Sequence, residues 1–274
     1  MRGMTTLLVL GVWVGFCAGG PDWDEGEGGG GDAGSVPAGA EAVTGTGVDP
    51  VEKISGRLSG FGRGAGTPGG GDFQDMYLIR IADPKNFRAT TLADFGGFAG
   101  FDAQLFLFKA DGTGLIANLN AGTPTTDPLL TPTANDGTGA AVTDPGLYFL
   151  AISGAVSLPG NSDGPIFQFN SPFEISGPDG NGGVSPIAFW NAPGETGRYE
   201  IALQGVLSIP VGEVGCDPAD LAEPFGQHDF SDIVVYVSQF SAGVLNVTDL
   251  APPFGVLDFS DVVAFLTEFA DGCP

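Results

Sequence analysis

From Glu213 onward the chain holds eleven carboxylates, one histidine and no lysine or arginine. These acids lack internal basic partners, so a cation or a basic docking partner would relieve their repulsion. They are not scattered. DLAEPFGQHDFSDIVVYVSQF (Asp220 to Phe240) recurs as DLAPPFGVLDFSDVVAFLTEF (Asp249 to Phe269), 29 residues later and without a gap. Cys216 precedes the pair and Cys273 follows it. The sole histidine, His228, corresponds to Leu257 in the second copy, which marks a surface or packing position and not a catalytic one.

Catalytic chemistry is hard to assemble from this inventory. One histidine excludes a His-rich zinc site, and a position that accepts Leu in its sister copy is a poor triad base. No glycine-rich run has the strand–loop–helix setting and lysine of a phosphate-binding loop. Carboxylates are abundant, but no glycosidase-like pair stands out. A formal net charge of -24 makes nucleic acid a poor partner.

Each copy predicts a helix. DFSD supplies the start, with Asp229 or Ser231 as N-cap in the first copy and Asp258 or Ser260 in the second. Ile233, Val234, Val237 and Phe240, then Val262, Val263, Leu266 and Phe269, recur at helical spacing. The two stripes are expected to face each other as one small core.

Residues 1–20 read as an export segment: Arg2 gives a positive start, Leu7 to Phe16 is apolar, and small residues follow. Cys17 stands where a bacterial lipoprotein carries its lipidated cysteine. Phe16 occupies the position where that signal demands a small residue, so secretion or cell-surface display is the expectation and lipidation the alternative. No later stretch reaches ~18 uninterrupted apolar residues, so no membrane span is expected. With Cys17 assigned to the export segment, Cys216 and Cys273 read as one disulfide. It would close a loop of about 57 residues and add ~2–4 kcal/mol. Residues 21–50 are rich in Gly and acid and read as a flexible linker.

Strand texture begins near Val51. Residues 54–59, 73–81, 103–109, 146–153 and 197–206 alternate, or are apolar on both faces, between Gly/Pro/Asp/Asn turns. They predict a mainly β chain: an antiparallel, jelly-roll-like sandwich over 51–208 with an insertion at 157–194. A two-helix module follows at 213–274. The insertion's Phe167, Phe169, Phe173, Phe189 and Trp190 pack on the sandwich in one reading and contact a ligand in the other; packing is the expectation.

The ordered set Asp75-Met76-Tyr77, Asp102 with QLFLF, Ala110-Asp111-Gly112, Ala117-Asn118-Leu119-Asn120, Pro145 to Ser153 and Gly197 to Ile201 resembles the bacterial pre-peptidase C-terminal domain. That resemblance implies a non-catalytic β-sandwich beside exported proteins, in some members binding calcium or an extracellular polymer. Asp75, Asp102, Asp111, Asn118 and Asn120 are then possible calcium ligands, with turn formation their expected role. The tail resembles dockerin, a duplicated calcium-binding anchor, in the form closed by a late Gly-Cys (Gly272-Cys273). This implies Ca2+ on Asp220, Asp229 and Asp232, and on Asp249, Asp258 and Asp261, with docking to a cell-surface or extracellular protein. The acids fall at loop positions 1, 10 and 13, not in the regular spacing. Ala222, Pro224, Ala251 and Pro253 replace ligands, and the alternative is that the acids only cap the helices. The expected function is an exported, non-catalytic body on an anchor. The rival is a secreted hydrolase using sandwich carboxylates.

Overall fold

The computed structural model describes residues 22–25, 32–60, 71–210, 218–222, 227–252 and 256–272. Cys17, Cys216 and Cys273 lie outside them, as do the export segment and the Pro-Phe-Gly turns of both copies. Among the described residues no helix is long and apolar enough to cross a membrane.

Two sheets form the sandwich. The first runs β1 (Trp23–Asp24), β4 (Lys53–Leu58), β16 (Gly197–Gln204), β6 (Arg88–Thr90), β10 (Leu129–Leu130), with β7 (Phe98–Ala99) also on β16. The second runs β14 (Ile175–Ser176), β9 (Gly114–Asn118), β8 (Ala103–Lys109), β11 (Gly146–Gly154), β5 (Gln74–Ile81), β17 (Val206–Leu207), with β2 (Glu41–Ala42) also on β5. The five longest strands are those the alternation predicts. Period-2 patterning places Tyr199, Ile201 and Leu203 inward and Arg198, Glu200 and Gln204 outward. Between the sheets lie Ile54, Tyr77, Ile79, Leu105, Leu107, Leu150 and Ile152.

The second sheet is buried on its other face too, where Met76, Phe106, Phe108 and Phe149 need cover. The insertion supplies it. β12 (Pro159–Asn161), β13 (Gly164–Pro165) and β15 (Phe189–Trp190) form a small third sheet. Phe167 and Trp190 fill the layer beneath: Trp190 meets Phe106 edge-on at 5.3 Å, and its Nε1 donates to Ser35 O at 2.7 Å. Trp190→Ala is expected to cost about 3–5 kcal/mol, read as a fall in the urea midpoint without a change in slope.

The linker expectation for residues 21–50 is corrected. β1 and β2 join the two sheets, β3 (Thr44–Gly45) pairs with β18 (Ile209–Pro210) in a separate two-stranded ribbon, and Trp23, Ala33, Val36 and Val43 are buried. The sandwich therefore begins at Trp23 and not Val51. Few residues in this stretch are apolar, but strands far along the chain supply each with a partner, which composition does not register.

The tail contains α1 (Phe230–Ala242), a single turn α2 (Leu245–Thr248) and α3 (Phe259–Asp271). α1 and α3 occupy corresponding positions in the two copies. Their contact is centred on Tyr236 and Phe265, themselves corresponding residues, stacked at 3.9 Å and 10°. His228, just before α1, stacks on Phe269 near the end of α3 and its Nδ1 lies 2.9 Å from Phe269 O, so the helices run antiparallel. The expected stripe is corrected. Ile233, Tyr236 and Phe240 face Val262, Phe265 and Phe269, whereas Val234, Val237, Val263 and Leu266 are exposed. At 100° per residue, 233, 236 and 240 fall within about 60° of one another, 234 lies well off that arc and 237 lies beyond its edge, and the aromatic pair buries the larger area.

Candidate metal centre

Beside β4 the chain leaves β1 at Glu25, whose N–H donates to Ser55 O at 2.8 Å and so pins the segment. Gly56 in β4 makes room: a Cβ there would collide with the Tyr199 hydroxyl and lie 2.8 Å from Glu25 Oε2. Asp72 and Asp75 arrive as the chain enters β5, and Asp32 returns on the stretch that carries Ala33.

One oxygen each of Glu25, Asp32 and Asp75 lie within 4.8 Å of one another. Glu25 accepts from Arg57 N–H at 2.8 Å and Ala33 N–H at 3.2 Å. Asp72 accepts from Ser59 N–H. Asp75 is wholly buried; its Oδ2 accepts from the Tyr199 hydroxyl at 2.5 Å, which in turn meets the Tyr77 hydroxyl at 2.5 Å. Oδ1 of Asp75 and Oδ1 of Asp72 are buried without a hydrogen-bond partner.

Among the described residues no lysine or arginine side chain pairs with this group; Arg57 contributes its backbone N–H. The electrostatics follow. Burial raises the Glu25 carboxyl to about 7 against the lowering effect of its two N–H donors, and Asp32 and Asp72 add repulsion. Burial, then Asp72, raises Asp32. Burial, then Glu25 and Asp72, pushes Asp75 well above the carboxylate range despite the Tyr199 bond. Tyr199 and Tyr77 rise with it, from burial and the Asp75 charge.

Carboxylates crowded in a low-dielectric pocket either hold protons or share a cation. The donors are all oxygen, which suits a hard cation such as calcium, and Asp75 and the neighbouring Asp72 each keep a buried carboxylate oxygen without a hydrogen-bond partner. Glu25, Asp32, Asp72 and Asp75 would hold the ion. Its charge would offset their repulsion and clamp the N-terminal segment against β4 and β5.

The six tail acids are placed otherwise. Asp229 and Asp258 are the N-caps, accepting from Ser231 and Ser260 N–H. The Ser231 and Ser260 side chains first, and then these N–H bonds, hold both carboxyls below their usual range. Asp232 accepts from Leu221, Ala222 and Asp229 N–H at 2.7, 2.8 and 2.7 Å. Asp261 repeats this with Leu250, Ala251 and Asp258 N–H at 2.9, 2.9 and 2.8 Å. Asp220 and Asp249 are buried at the start of each copy. Four of the six thus serve backbone donors, the capping alternative. Among the described residues, the carboxylate group close enough to share an ion is the one on the sandwich.

The remaining nominated residues are distributed through the fold. Phe167 and Trp190 are core, Phe169 packs against that core, and Phe189 is half-buried. The first two are therefore unavailable to a ligand. Asp111 closes the β8–β9 hairpin by accepting from Thr113, and Asn118 ties Glu174 O and Leu129 N–H together. Asp75 alone of that set joins the carboxylate cluster. Glu25 and Asp32 carried no local signal, because they sit in low-complexity sequence. No protein-family model matches the sequence, and no curated protein matches it significantly.

Proposed function

We propose that this chain is an exported, non-catalytic β-sandwich of the pre-peptidase C-terminal type. Calcium braces it, and a dockerin-like helix pair attaches it to a cell-surface or extracellular protein. The observation that carries the docking role is a duplicated apolar surface. Phe230, Val234 and Val237 on α1 are exposed, and so are their counterparts Phe259, Val263 and Leu266 on α3. In an antiparallel pair related by a twofold, corresponding flanks fall on one side, so the six residues make a single face. Exposed apolar clusters of this kind mark interaction sites. The tail's acidic residues, with no lysine or arginine among them, call for a partner with a basic rim.

The test is a pull-down from the parent cell envelope with the full chain and a Val237→Asp/Leu266→Asp variant. Both residues are exposed, so the fold is retained. Recovery of specific partners is expected to fall at least about tenfold, since charges replace apolar contacts at the centre of the face. Equal recovery sinks the docking role. The rival, a secreted hydrolase of polysaccharide or protein, draws on Glu25, whose carboxyl titrates near 7 beside Asp32. Turnover that vanishes in Glu25→Gln would transfer the function to it.

A further inference from the structure

Resting on the reading of the sandwich as a binding body, we propose that the outward face of the first sheet is a platform for an acidic polysaccharide, a chain of carboxylate-bearing sugars. Arg57 and Arg198 stand directly opposite each other on β4 and β16, both exposed. Neither has a carboxylate within ion-pairing distance among the described residues. Like charges facing across strands are destabilising, and an anion between them removes the cost. At the other end of β16, Gln204 stands opposite Arg88. The Arg88 guanidinium lies 4.2 Å over the Phe95 ring, and its Nε is buried with no acceptor. A buried donor of this kind is open to an acceptor that the described residues do not supply.

Between these ends the small Ala202 floors a groove of about 510 Å³ walled by Lys53, Arg88 and Phe95. Lys53 holds Asp22 at 3.4 Å and Glu200 at 3.5 Å, which offsets one of these two negative charges beside the path. Glu52 remains at the margin as an acceptor for hydroxyl groups. From Arg198 to Gln204 the strand spans about 20 Å, longer than one sugar, so the ligand is a polymer. Phe95 and Phe98 are 43% and 51% exposed and supply apolar surface to the C–H side of a sugar.

The face carries side chains and no free backbone, so it cannot take an acidic peptide by strand addition. A nucleic acid duplex, with one charge per about 1.7 Å, is opposed by the net charge of -24 more strongly than a chain with one charge per sugar.

Calorimetry on the calcium-loaded full chain, dialysed free of excess metal, tests this with a hexameric oligouronate, a neutral glucan of equal length and a polyglutamate of equal charge. The oligouronate is expected to bind and the other two not. Arg198→Gln and Arg88→Gln are each expected to weaken it about tenfold or more, with melting temperature unchanged. Arg198 is exposed, so its variant remains informative if the Arg88 variant fails to fold. No heat with the oligouronate, equal affinity in Arg198→Gln, or polyglutamate binding as tightly overturns the proposal. The Val237→Asp/Leu266→Asp chain is expected to bind the oligouronate normally, so loss of docking and loss of sugar binding are scored separately.

Discussion

Chelator-treated protein is expected to gain melting temperature when calcium is added. At a hundredfold excess over Kd the linkage gain is about 2.7 kcal/mol, or about 5–10 °C for a body of this size. Asp75→Asn is expected to abolish the shift. In chelator the same substitution is expected to leave stability equal or higher, because it replaces an acid whose ionisation a wholly buried site among other acids opposes with a neutral side chain. The opposite signs distinguish a metal ligand from an ordinary acceptor for Tyr199, which Asn could replace under both conditions. Scanning calorimetry with and without calcium reads both. No shift in the unmodified chain at millimolar calcium retires the metal centre. A shift that survives Asp75→Asn moves the ion to another site, the tail acids first.

The metal-free chain also has a defined pH response. Glu25, Asp32 and Asp75 all have folded-state values above their unfolded ones, so the native state binds more protons. Their contribution is complete below the unfolded values and is lost as pH rises through the folded ones. Stability in chelator is therefore expected to fall between about pH 4.5 and 7, the interval Glu25 sets. Saturating calcium is expected to flatten or invert this slope, since the ion binds the deprotonated set.

Removing one buried carboxylate from the tail is expected to unfold it while sparing the sandwich. Asp232 is wholly buried and satisfies three backbone donors that join the start of its copy to α1. Asp232→Ala leaves those N–H groups unpaired and removes hydrogen bonds to a charged acceptor, a loss of about 3 kcal/mol or more. A module this small holds little more than that. Hydrogen exchange is the measurement: protection of α1 and α3 amides collapses while β5, β8 and β11 amides are unchanged. Asp261→Ala is expected to match it, because Asp261 makes the same three bonds in the second copy. Retained helix protection in both variants would mean that the Tyr236–Phe265 stack holds the helices without these ties.

The contrast between tail and sandwich shows what sequence by itself determined. Strand periodicity is a local property, so residues 74–81, 103–109, 146–154 and 197–204 declared themselves by alternation or by continuous apolarity. The Asp229 and Asp258 caps are equally local, because a cap and its N–H lie two residues apart. Which flank of α1 meets α3 was not local. Val234 and Val237 are as apolar as Ile233, and only the Tyr236–Phe265 stack decides the rotation. The carboxylate centre was least legible. Glu25 and Asp32 lie in a stretch whose composition reads as tether, and they meet Asp75 only after β1 has paired with β4. The outward row of Arg57, Arg198 and Arg88 has the same origin. Strand register, set by burial of the opposite face, brings together charges that lie far apart along the chain.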